Sequence, residues 1–230
     1  MKKADLKLMN EKELSTGAIH SLINSFNLFH DAMILSVLGR YSRAYTLVQL
    51  SIEEAGKALM LHELSFFKKN INVLPKVAGE TYNEKLTRVE KLFFDHPGKS
   101  KESLKFMISM IKNKFLDNES EELEIKRLKE EMKPKELNKM KNLSLYVDVS
   151  NNSFEIPYDI ISEKEYSNLQ SLGHVILHHS KKYIFKNEEL LIEMGADPNI
   201  IKKLDPYSEA RRLNQSLDLN KYYSKPQIEW

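Results

Sequence analysis

Glu53, Glu54 and Lys57 are the residues of this chain whose types and spacing are best suited to chemistry. On a helix Glu53 and Lys57 stand four apart and Glu54 and Lys57 three apart, so one ammonium serves both carboxylates. Arg43 projects on the same side as Glu54, and Asn27, His30 and Asp31 place polar groups in an otherwise apolar seam of the preceding segment. Packing of the two segments would let His30 approach the acidic pair. Such a group is either a tie that fixes helix register or a site whose titration is perturbed. On the residues alone, the tie is favoured.

Other chemistries lack their residues. Cysteine is absent, which removes disulfides and thiolate metal sites. No Glu-x-x-His pair exists for a di-iron bundle and no HExxH for a zincin. Adjacent His178 and His179 point about 100° apart on a helix, so they do not chelate together and read as one surface and one half-buried ring. Dinucleotide and P-loop glycine motifs and GxSxG are missing as well. Neither a cofactor nor a metal is expected.

The elements that must position the acidic pair are long helices. Seven Gly and seven Pro in 230 residues leave few breaks. Gly39 to Leu64 reads as one helix, extending to about Lys69, with Tyr41, Ala44, Val48, Ile52, Ala55 and Leu59 on one face. Leu47, Leu50 and Leu61 line the opposite face with Glu54 among them. A helix apolar on two sides is central in its domain. Ahead of it a helix from about Ser15 to Leu38, capped by Ser15 or Thr16, predicts an antiparallel hairpin turned at Gly39. Asn70 to Gly79 reads as a loop, Asn83 to Phe94 as a short helix, and Ser100 as the cap of a helix reaching about Leu116. Phe66, Phe67, Phe93 and Phe94 read as core.

Beyond this the sequence is dense in charge up to Lys141, with Pro134 interrupting it. Its basic half (Lys126, Arg127, Lys129, Lys133, Lys135, Lys139, Lys141) reads as a solvated face or a partner-binding stretch. Asn142 to Val149 alternates like an extended segment followed by a turn. A last long helix is expected from about Ser162 to Phe185, with Leu169, Leu172, Val175, Ile176 and His179 inward. The economical organisation is one all-α domain over 1–230, with an antiparallel core at about 15–185 and a C-terminal helical appendage at about 186–230.

Lys plus Arg number 35 against 33 acidic residues, so net charge argues neither for nor against nucleic acid. No apolar run is long enough for a bilayer, and the charged N-terminus does not lead into a signal-peptide core. A cytoplasmic protein without membrane contact is expected.

The run GRYSRAYTLVQLSIEEAGKALML resembles a helix of the AbiV family of bacterial abortive-infection proteins. FFDHPGK, with His96-x-x-Lys99, and KNLSLYVDV followed by Pro157 fit the same family in order and spacing. The resemblance implies a HEPN-like helical bundle, a homodimer acting in phage defence. It also implies a response to a phage-encoded protein and arrest of host translation or growth. Many HEPN proteins are metal-independent ribonucleases with Arg-x(4–6)-His. None of the six arginines here has a His at that spacing, and seven residues separate Arg88 from His96. Only Lys57-x4-His62, Lys91-x4-His96 and Lys141-x4-Tyr146 imitate it.

Two functions follow from the resemblance. In the first, an effector surface uses His96 as acid/base, Lys99 as phosphate anchor and Tyr146 as a proton carrier, with Glu53, Glu54, Lys57 and His30 organising them. In the second, the same groups are structural ties. A binding module then inhibits by occupying a protein, ribosomal or RNA partner through Lys126, Arg127, Lys129, Lys139 and Lys141.

Overall fold

Asn10, rather than Ser15 or Thr16, starts the first helix. Its side chain accepts a hydrogen bond from the Glu13 amide at 2.9 Å, and the Glu13 carboxylate accepts one from the Asn10 amide at 2.7 Å. This reciprocal box satisfies two amides that a helix start leaves unpaired, and helix α1 runs over Glu11–Val37. Ser15 is buried inside it. The computed structural model describes residues 6–71, 81–93, 95, 98–101, 103, 105, 123, 134–145, 148–150, 153–155 and 161–185.

Gly39, at φ 68°, takes the left-handed conformation that lets the chain reverse within a few residues. Helix α2 then spans Tyr41–Lys69. Small polar side chains fix the register of this hairpin. The Ser25 hydroxyl donates to the Ser51 carbonyl and the Ser51 hydroxyl to the Ser25 carbonyl, both at 2.8 Å. Further along, the Ser65 hydroxyl donates to the Glu11 carbonyl at 2.8 Å.

Helix α2 is central, packing against α1, against α3 (Tyr82–Phe93), against α4 (Pro134–Leu143) and against α5 (Glu163–Ile184). Its expected face is the core face: Ala44, Val48, Ile52, Ala55 and Leu59 are buried with Phe26 and Phe29 of α1 and Leu172 and Ile176 of α5. Each such large side chain contributes about 1.5–3 kcal/mol on burial. A second cluster joins Leu14, Leu61, Leu64 and Phe67 to Leu86 and Val89 of α3. Phe67 is core as expected, whereas Phe66 is 48 % exposed. Phe94 lies outside the described residues.

Three boundaries differ from the sequence reading. Residues 98–101 are already helical, with the Lys99 amide donating to the Asp95 carbonyl at 3.0 Å, so Ser100 lies within a helix rather than capping it. The far end expected near Leu116 is outside the described residues. Pro134 opens α4 instead of breaking one, since a first-turn residue needs no amide. Asn142 and Leu143 belong to α4, and among the described residues the first extended chain is Asp148–Ser150 (β1). It pairs antiparallel with Ser153–Glu155 (β2), Val149 opposite Phe154. This ribbon is minor, and the fold is an all-α bundle. Helix α5 starts on a second reciprocal box, from Ser162 and Glu165, and buries Leu169, Leu172, Ile176 and His179, with Val175 half-buried. The expected appendage at 186–230 is outside the described residues. Among the described residues no helix is long and apolar enough to cross a membrane.

Candidate functional site

One face of α2 is polar although it faces protein. Thr46, Gln49, Glu53 and Gly56 recur at helical spacing, and three of these side chains and one missing side chain receive two other segments. At Gly56 the Lys99 backbone and the Ser103 side chain come so close that a Cβ would collide with the Lys99 carbonyl oxygen and the Ser103 hydroxyl. The Ser103 hydroxyl donates to the Ile52 carbonyl at 2.9 Å, and the Gln49 amide donates to the Ser100 hydroxyl at 2.8 Å. On the other side Thr46 and Ser144 share a hydroxyl–hydroxyl hydrogen bond of 2.5 Å, and Ser144 donates to the Lys141 carbonyl at 2.7 Å.

These contacts enclose the charges. Lys141 reaches inward from α4, and its Nζ donates to Glu53 Oε1 at 2.8 Å. Lys141 is 6 % and Glu53 1 % exposed, so this ion pair is interior. Glu54 and Lys57 form a half-buried pair at 2.6 Å, with the Lys57 ammonium also 5.5 Å from the centre of the Phe93 ring. Lys99, 7 % exposed, completes the group. Burial pushes the Lys99 ammonium below its usual range, Glu53 and Glu54 pull it back up, and Lys57 and Lys141 add to the depression. Three ammonium groups therefore face two carboxylates in one interior cluster.

Glu53, Glu54, Lys57, Lys99 and Lys141 thus come together. Of the two carboxylates, Glu53 is the interior one, whereas the helical periodicity had put Glu54 among the leucines. His30 stands elsewhere: the Ser25–Ser51 register sets it level with Thr46, about two helical turns from Glu53. Asn27, Asp31 and Arg43 are exposed and face away from the seam. His96, Tyr146, Lys126, Arg127 and Lys129 lie outside the described residues. Lys139 is exposed on α4 as expected of a basic surface, but Lys141 is not part of that surface. The missed signal is its spacing from Leu137: four apart, the two share the buried face of α4.

His62 does not join Lys57. Its ring packs edge-on to Tyr183 of α5 at 5.5 Å, Nδ1 has no partner among the described residues, and burial lowers its pKa to about 4. Among the described residues no group of three or more His, Asp or Glu side chains could hold a metal ion.

The family model for AbiV, of HEPN type, matches residues 13–178, well over half of the chain. The chain belongs to the AbiV family. It is accordingly an abortive-infection protein with the HEPN-type helical fold. The matched span of this AbiV protein takes in α2, α3 and α4 whole and most of α1 and α5, so it includes all five charged groups of the interior cluster. Comparison with curated proteins and with solved structures gives no match.

Proposed function

We propose that this AbiV protein is a phage-defence effector that arrests the infected host by binding a protein, ribosomal or RNA partner. In this reading Glu53, Lys99 and Lys141 hold the binding fold together and do no chemistry of their own. Burial carries it: with Glu53 at 1 %, Lys141 at 6 % and Lys99 at 7 % exposure, the backbone of an RNA has no access to these three groups. A paired interior charge is also costly to free for reaction, because separating it leaves its partner uncompensated. The proposal extends to the surrounding biology: a phage-encoded protein as trigger, a homodimer as the acting form, and translation or growth as the process stopped. The partner meets the basic stretch Lys126, Arg127, Lys129 and Lys139, without Lys141.

A ribonuclease has one observation in its favour, the Lys99 ammonium in the field of two carboxylates, with burial pushing it below its usual range. The two readings separate in infected cells. Changing Lys126, Arg127, Lys129 and Lys139 to Gln, with Lys141 intact, abolishes growth arrest if binding is the activity, and host RNA stays full-length while the unmodified chain acts. RNA fragments that accumulate during arrest, and disappear in Lys99→Met, would overturn the proposal.

A further inference from the structure

The histidine pair near the end of α5 has a third member one turn earlier. His179 is interior, at 1 % exposure, and meets the exposed His178 ring edge-on at 5.0 Å. His174 stands four residues before His178, on the same outward stripe of the helix as Ser167 and Ser171. Its ring centroid is 6.5 Å from that of His178, with 39° between the planes. His174 is half-buried and has a further interaction in the fold. An imidazole engaged at one nitrogen keeps the other for a metal, and the engagement orients the ring.

Chelation asks little of this geometry. Zinc bonds to imidazole nitrogen are about 2.0–2.1 Å long, which places two rings on one ion with centroids roughly 5 Å apart. The exposed His178 side chain closes the difference by turning about its own bonds, without movement of the helix. Two histidines at this spacing on one helical face are a known zinc-binding pair. The surroundings select the class of ion. The carboxylates of α5, Glu163 and Glu165, lie more than two turns before His174, and Lys181 and Lys182 follow His178. Imidazole donors without carboxylates suit nickel, copper and zinc, whereas magnesium and calcium seek oxygen.

We infer that His174 and His178 together bind one divalent transition-metal ion of the nickel, copper and zinc class. Two side-chain ligands are fewer than a structural centre uses, so water completes the coordination and the fold does not depend on the ion. The affinity comes from pairing: once one imidazole holds the metal, the other is present at high effective concentration.

The test titrates Ni²⁺ into the untagged full chain by calorimetry, and paramagnetic line broadening in two-dimensional NMR locates the ion. A tightest site of one ion per chain, saturating in the micromolar range, is expected, with no binding of Mg²⁺. His178→Gln, a change at an exposed position that keeps the fold, weakens that site by about tenfold or more, and His174→Gln does the same. His20→Gln, at another exposed histidine on α1, leaves it unchanged. Saturation only at millimolar Ni²⁺, the mark of an adventitious ion, would overturn the inference. So would a tightest site that survives His178→Gln, or broadening centred away from residues 174–178.

Discussion

At the residue scale, the chemistry of this chain turns on which carboxylate is interior. Glu53 and Lys141 are both buried and bonded to each other, and truncating Glu53 would leave the Lys141 ammonium without its carboxylate at a cost of about 3–5 kcal/mol. The Glu-Glu-x-x-Lys spacing was legible in the sequence as a polar organiser. The choice between Glu53 and Glu54 was not, because adjacent helical residues differ by about 100° and the arrival of α4 decides which direction is inside. Lys141 looked like one more surface lysine for the same reason. A second residue sets pH dependence. His62 has a pKa of about 4 in the folded chain against 6.5 when exposed, so folding favours its neutral form. Above pH 6.5 it is neutral in both states. As pH falls from there towards 4 the unfolded chain takes up the proton first, and stability drops by at most on the order of 3 kcal/mol before levelling off. Urea unfolding of the wild type and of His62→Phe over pH 4–7 should show a flatter profile in the variant. Parallel profiles would exclude His62 as the source.

At the element scale, α2 is the organiser, with an apolar face towards α1 and α5 and a polar, small-residue face towards Lys99, Ser100, Ser103 and α4. The first face was readable from periodicity, as were the hairpin, the turn at Gly39 and the extent of α2. The polar face was not, since Thr46, Gln49 and Gly56 look unremarkable until the segments they receive are in place. The start of α1 was missed although its signal, Asn10 with Glu13 three residues later, is present in the sequence. Gly56 gives a test at this scale. Alanine is intrinsically better in a helix by about 1 kcal/mol, yet here its Cβ would meet the backbone of Lys99. Gly56→Ala should therefore lower stability by about 1–3 kcal/mol, seen as a reduced thermal midpoint. A raised midpoint would mean that Lys99 and Ser103 do not seat against α2.

At the scale of the whole molecule, the all-α architecture followed from scarce breakers and long apolar periodicities, and the AbiV assignment from three short motifs in order. What α2 holds together could not be read the same way, because the cluster joins residues nearly ninety positions apart through packing that no local pattern specifies. The central claim is that this cluster is a tie within a binding effector. Replacing an interior ion pair by apolar side chains of similar volume is often neutral for stability, so the charges can be removed while the fold is kept. The direct measurement is plaque formation, on cells expressing Glu53→Met/Lys141→Met, by a phage that the wild-type chain blocks, with circular dichroism to verify the fold. Protection equal to wild type is the predicted result; a folded double variant that no longer protects would contradict the account, because the charges themselves would then be needed for the activity.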